Sequence, residues 1–256
     1  MKEIIDQKVE KGYTLDLGKI IEVSFEAYKK TFLLSGVAII IAGIVLSVLY
    51  VGYFGILYGF GDFTKTISEL EADTLNPTMQ IINAAFGIIF ASLLAPLIAG
   101  FINVNYLAKT NQEFGIGSFF DFYKSSFLKD LILNQLIIAL FLNSIATFLV
   151  LTDHQFIALI IQITIPLFTV FCIPLIIYGE QNFIEALVKS IKLFVKNPFI
   201  IIIALIIAFF GMLVGFIALC IGILFTIPYY FSMVYTIYEQ AIGFKEESVI
   251  DQIGLD

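Results

Sequence analysis

Apolar positions do not alternate with polar ones along most of this chain; they run on. No charged side chain occurs in residues 31–61, 74–108, 131–152, 154–179 or 197–238. A helix rises 1.5 Å per residue and a bilayer core is about 30 Å thick, so about 20 apolar residues cross it. Each of the first four stretches reads as one crossing. The last would form a helix of about 63 Å, twice the core thickness, and reads as two spans with a turn near 215–222, where Gly211, Gly215 and Gly222 free the backbone. The pattern predicts an all-α polytopic membrane bundle of six transmembrane helices. Continuous runs of this length lack the in/out alternation of a membrane β-barrel.

Between the runs, apolar residues return at helical spacing. Over 16–30, Leu17, Ile20, Ile21, Phe25 and Tyr28 share a face opposite Lys19, Glu22, Glu26 and Lys29. Over 118–130, Phe119, Phe120, Tyr123 and Phe127 make a stripe against Asp121, Lys124 and Lys129. Over 182–196, Ile184, Leu187, Val188, Ile191 and Val195 oppose Glu185, Lys189, Lys192 and Lys196. Each segment is expected to be an amphipathic interfacial helix, either lying in the headgroup plane or simply leading into the next span. A pair of spans follows each one, and the second of each pair carries a candidate helix-kinking proline: Pro96, Pro174 and Pro228. The expected organisation is a single membrane domain over 1–256: a segment 1–30 with an interfacial helix at 16–30, hairpin 31–108, interfacial helix 118–130, hairpin 131–179, interfacial helix 182–196, hairpin 197–240 and a tail 241–256. Repeats that all start on one side predict a pseudo-threefold bundle.

Lysines set the orientation. Six precede the first run, three lie at 109–129, three at 189–196 and one in the tail, whereas Lys65 alone lies on the alternate connections. Basic residues near span ends stay cytoplasmic, which predicts an inner-membrane protein with both termini inside and Asp62, Glu69, Glu71 and Asp73 outside. Lys29, Lys30, Lys124, Lys129, Lys189, Lys192 and Lys196 become the membrane-interface candidates. Tyr50, Tyr53 and Tyr58 at one end, and Tyr106, Tyr178, Tyr235 and Tyr238 at the other, are expected in interfacial belts. About 30 mixed residues before the first run argue against a cleavable signal.

Composition narrows the chemistry. Of 256 residues, 60% are hydrophobic and 14% charged, too few for the surface of a soluble domain. Every basic residue is lysine and the net charge is -7, which excludes bidentate phosphate clamps and nucleic-acid binding. The Phe-rich, Arg-free composition suggests an AT-rich bacterial genome. One histidine, His154, and two cysteines, Cys172 and Cys220, cannot build a metal or disulfide framework, so no metal, cofactor or enzymatic activity is expected. His154 beside Asp153 reads as a solvated turn and the cysteines as packing residues. No ionisable group lies within a span; Asn83, Asn103, Asn105, Gln135, Asn143, Gln162 and Thr164 either line a path or hydrogen-bond between helices.

The last third carries E-A-L-V-K-S-I-K-L-F-V-K-N-P-F from Glu185, then C-I-G-I-L-F-T-I-P-Y-Y and Y-T-I-Y-E-Q-A-I-G. It resembles a group of uncharacterised six-span bacterial membrane proteins that includes the YciC-like family and the membrane domain fused to some glycerophosphodiester phosphodiesterases. The resemblance implies fold and location, not an activity. A non-enzymatic protein that organises lipid or assists a membrane protein partner is expected. The alternative is a small permease with a substrate path between the hairpins.

Overall fold

The computed structural model describes residues 1–59, 76–217 and 222–244. Its helices are α1 (Lys2–Lys11), α2 (Leu17–Tyr58), α3 (Pro77–Lys109), α4 (Leu128–Leu151), α5 (Gln155–Phe168), α6 (Cys172–Ile177), α7 (Phe183–Lys196), α8 (Pro198–Leu213), α9 (Gly222–Thr226) and α10 (Pro228–Ala241). Among the described residues there are no strands. Five helical stretches are long and apolar enough to cross a membrane: Leu17–Tyr58, Pro77–Lys109, Leu128–Leu151, Gln155–Ile177 and Pro198–Ile217. Their outward faces stay apolar. Ile44 and Val48 on α2, Phe141 and Phe148 on α4, Phe156 and Ile163 on α5, and Phe199 and Phe210 on α8 are each more than half exposed. A continuous apolar belt of this kind suits hydrocarbon, not water.

Local chemistry explains where the helices start. The Asp16 carboxylate caps α2 by accepting from the Lys19 N–H at 3.0 Å, and Asn76 caps α3 through the Thr78 N–H at 3.0 Å, with Pro77 at the first helical position. The buried stripe of α2 is made of small residues, Ser24, Ala27, Thr31, Ser35, Gly36, Ala38 and Ala42, which let neighbouring backbones approach. At Gly36 the Phe225 ring fills the place a side chain would take. At the centre lies α10, with Met233, Tyr235, Ile237, Tyr238 and Ala241 wholly buried against α2, α3 and α8.

Several expectations are corrected. The 16–30 segment is no separate surface helix, because nothing interrupts the hydrogen-bond ladder at Lys30 and it forms the first turns of α2. The 118–130 segment is two 3-10 turns, Ile116–Phe119 and Asp121–Lys124, followed by the start of α4. Phe119 and Phe122 are the buried pair, the three-residue spacing of a 3-10 turn, whereas Tyr123 is exposed. The 182–196 segment is helical, as α7. Tyr235 and Tyr238 pack in the interior with Tyr178 and Phe244 instead of facing headgroups. Pro96 sits inside an unbroken α3, whereas Pro174 follows a break at 169–171 and Pro228 opens α10 after a break at Ile227. In both broken cases the proline ring displaces the carbonyl four residues earlier and supplies no N–H. The predicted turn at 215–222 lies partly, and Asp62, Lys65, Glu69, Glu71, Asp73, Cys220 and Lys245 wholly, outside the described residues.

Candidate functional site

The best-defined polar construction is α7 and what surrounds it. Asn182 starts the helix by accepting from the N–H groups of Ile184 at 3.1 Å and Glu185 at 2.9 Å. Three faces follow from the 100° step. Ala186, Ser190, Leu193 and Phe194 point inward, and the first three are 0% exposed. Glu185, Lys189, Lys192 and Lys196 occupy the adjoining face. Ile184, Val188, Ile191 and Val195 form the third, exposed by 58%, 44%, 40% and 60%. An apolar outward stripe beside a lysine row is the form of a helix lying at a membrane surface.

The inward face has a second task. Residues 169–171 interrupt the stretch between α5 and α6, freeing backbone groups. Ser190 takes them up: its hydroxyl donates to the Phe168 carbonyl at 2.8 Å and accepts from the Phe171 N–H at 3.1 Å. Backbone broken at membrane depth is tolerated when protein groups satisfy it in this way. Nearby, the Asn134 amide donates to the Phe183 carbonyl at 3.1 Å, Asp130 accepts from the Phe183 N–H at 3.1 Å, and the Cys172 thiol lies 3.8 Å from the Ala186 carbonyl.

Across the lysine row lies α1. Asp6 pairs with Lys189 at 2.7 Å, Lys196 donates to the Glu10 carbonyl at 3.0 Å, and Lys189 also donates to Gln181 at 2.8 Å. Ile5, wholly buried, anchors α1 beside Gly179. The Tyr13 hydroxyl donates to the Leu193 carbonyl at 2.7 Å, and Asn197 donates to the Tyr13 carbonyl. Burial holds the Tyr13 phenol protonated well above its ordinary range. An unfolded phenol ionises near pH 10, so this contribution is intact below pH 10 and is lost as the pH rises, because only the unfolded chain can then release the proton. Tyr13→Phe is expected to cost about 1 kcal/mol at pH 8, the worth of one hydrogen bond, and the gap to the unsubstituted chain should close by pH 11. Melting curves in detergent at the two pH values check this, and a gap that is constant or widening would exclude it.

The other predicted lysines are not gathered here. Lys29 pairs with Glu26 at 2.6 Å and lies 5.4 Å above the Phe25 ring; Lys30 donates to the Ala108 carbonyl at 3.3 Å. Lys124 and Lys129 are exposed, on the second 3-10 turn and at the start of α4. The sequence pattern does not single out α1, Asp6, Tyr13 or Ser190; the Ile5/Val9 spacing ahead of Gly12 is the signal for α1.

Of the polar residues expected in the bundle, Asn105 accepts from Ser232 at 2.7 Å, Asn83 accepts from Tyr53 at 2.5 Å, and Thr164 donates to its own helix at 2.7 Å. Gln135 and Asn143 come together on one cavity of about 340 Å³ between α3, α4, α5–α6 and α10. His154 is exposed, 3.2 Å from the Thr152 hydroxyl. Among the described residues no three His, Cys, Asp or Glu side chains are grouped to hold a metal. No known protein family, curated protein or solved structure matches the chain.

Proposed function

We propose that the chain is a six-span, multi-pass inner-membrane protein with both ends cytoplasmic, α9 and α10 together making the sixth crossing. Its role is to organise lipid, or to assist a membrane partner, without catalysis. The outward stripe of α7 carries this reading: four exposed apolar residues beside the exposed Lys192 and Lys196, Lys189 being taken up by Asp6 and Gln181. Bacterial membrane surfaces that carry anionic lipid attract each such lysine by about 1 kcal/mol. The lysine bias supports the orientation, and the resemblance of 185–243 to the YciC-like group supports the three-hairpin arrangement. For the permease reading a polar path is required, and the cavity at Gln135 is lined mostly by apolar side chains.

Protein extracted in mild detergent is expected to retain anionic phospholipid in excess of its share of the membrane. Lys192→Glu with Lys196→Glu should lower that enrichment about tenfold or more, since two lysines at about 1 kcal/mol each correspond to at least that ratio. Mass spectrometry of the retained lipids reads it, and equal lipid profiles for the two proteins would refute the reading.

A further inference from the structure

The cavity between α3, α4, α5–α6 and α10 has the shape and chemistry of a chain-binding slot. Its α4 wall is Gln135, Ile138, Ala139, Leu142 and Asn143, spaced i, i+3, i+4, i+7 and i+8 on one helical face. At 1.5 Å per residue this wall runs about 12 Å along the helix, and the facing wall on α3, from Ile102 back to Ala91, runs about 16 Å. The slot is therefore elongated along the spans. Its volume of about 340 Å³ holds on the order of ten water-sized or methylene-sized groups, each of about 30 Å³.

Polarity is confined to few residues. Gln135 and Tyr230 line the slot, and neither side chain has a hydrogen-bond partner among the described residues. Tyr230 enters at the Gln135 end: two residues further along α10, Ser232 donates to Asn105, three residues from Ile102. That end lies about 9 Å below Lys129 by helical rise, the depth at which the interfacial layer gives way to hydrocarbon. The other polar groups are occupied locally: Asn143 donates to the Ala139 carbonyl at 2.8 Å, and Thr169 to the Ile165 and Pro166 carbonyls at 3.3 Å. No charged residue lines the slot, so a carboxylate or phosphate would be left unpaired in an apolar site.

We propose that the slot holds one acyl chain of a membrane phospholipid, its ester carbonyl accepting hydrogen bonds from the Gln135 amide and the Tyr230 hydroxyl. This deepens the lipid-organising reading and rests on it. Two donors awaiting an uncharged acceptor at the ester depth, above an elongated apolar channel, match that ligand and disfavour a free fatty acid ionised at neutral pH.

The test uses the full chain in nanodiscs with two probes, a phosphatidylcholine carrying a diazirine in one chain and the corresponding free diazirine fatty acid. Irradiation with the phospholipid is expected to label the slot-facing residues of α4, and Ala91→Phe, which fills the slot, should reduce that labelling at least fivefold without altering labelling of outward Phe141. Gln135→Leu, which keeps the volume, should lower it about threefold, and serves if Ala91→Phe does not fold. Slot labelling by the fatty acid alone, or phospholipid labelling indifferent to both variants, would overturn the proposal. The Lys192→Glu, Lys196→Glu protein should keep its slot labelling. Anionic enrichment unchanged in that protein, with its slot still labelled, would mark failure at α7 alone.

Discussion

Ser190→Ala is expected to loosen the break between α5 and α6 and to cost about 2–4 kcal/mol. The substitution removes one hydroxyl but strands two backbone groups, the Phe171 N–H and the Phe168 carbonyl, in a wholly buried position. Each unsatisfied group costs roughly 1–3 kcal/mol; the carbonyl has a second lone pair and can relax, which puts the sum toward the lower part of that range. The lost side chain itself is small, so cavity formation adds little. Hydrogen exchange should rise at 169–172 ahead of the rest of the chain. The melting temperature should fall, read in a Cys220→Ser background by a thiol dye reporting exposure of buried Cys172. Ser190→Thr keeps the hydroxyl and separates the hydrogen bonds from general disturbance. Uniform exchange with an unchanged melting point would show that Ser190 is only a packing residue.

Gly100→Ala should be more damaging than its size suggests. Alanine normally stabilises a helix interior by about 1 kcal/mol relative to glycine. At Gly100 the added Cβ would lie 2.6 Å from the Phe119 carbonyl carbon and 2.8 Å from its Cα, and closer still to its oxygen. These are backbone atoms of a 3-10 turn whose side chain is wholly buried, so they cannot swing aside. Overpacking costs typically 1–3 kcal/mol, more where backbone must move, and it exceeds the propensity gain. A net loss of about 2 kcal/mol or more is expected, together with displacement of 116–124 from α3 and loss of the 2.7 Å bond from Tyr123 to the Leu93 carbonyl. Gly87→Ala supplies the opposite case: nothing lies within 4 Å of its Cβ position, so the same change there should stabilise by up to about 1 kcal/mol. Thermal melts of the two variants should move in opposite directions; a shared sign would remove the argument.

Much of the helical frame was legible because hydrocarbon imposes a simple length rule. Among the described residues, the runs at 31–61, 74–108 and 131–152 each coincide with a long helix, and 154–179 with α5 and α6 across their break. Boundaries set by polar groups were harder. The 118–130 stripe fits a 3.6-residue period, yet the close approach of Phe119 to Gly100 selects a tighter turn, and periodicity along one segment carries no information about a contact with another. For the same reason the 182–196 stripe gives no hint of Ser190: its task is defined by the break at 169–171, whose bonded groups lie 19 and 22 residues back along the chain. The two prolines flanking that break, Pro166 and Pro174, marked where the ladder would fail, but not which residue would repair it. Gln135 and Asn143 stand out in the sequence as polar groups within a span; that they share a slot depends on the packing of four separate stretches.

The docking of α1 sets an order of events during synthesis. Its partners lie far along the chain: Tyr13 awaits Leu193, 180 residues later, and Lys196 reaches Glu10 across 186. At about 5–20 residues per second, a ribosome takes roughly 10–40 s to deliver them. For that interval Ile5 has no socket, and the surface of the nascent membrane is the nearest apolar refuge for α1. Closure of α1 over α7 thus waits for residue 196, and chains halted before it should leave α1 open to proteases that the finished fold excludes.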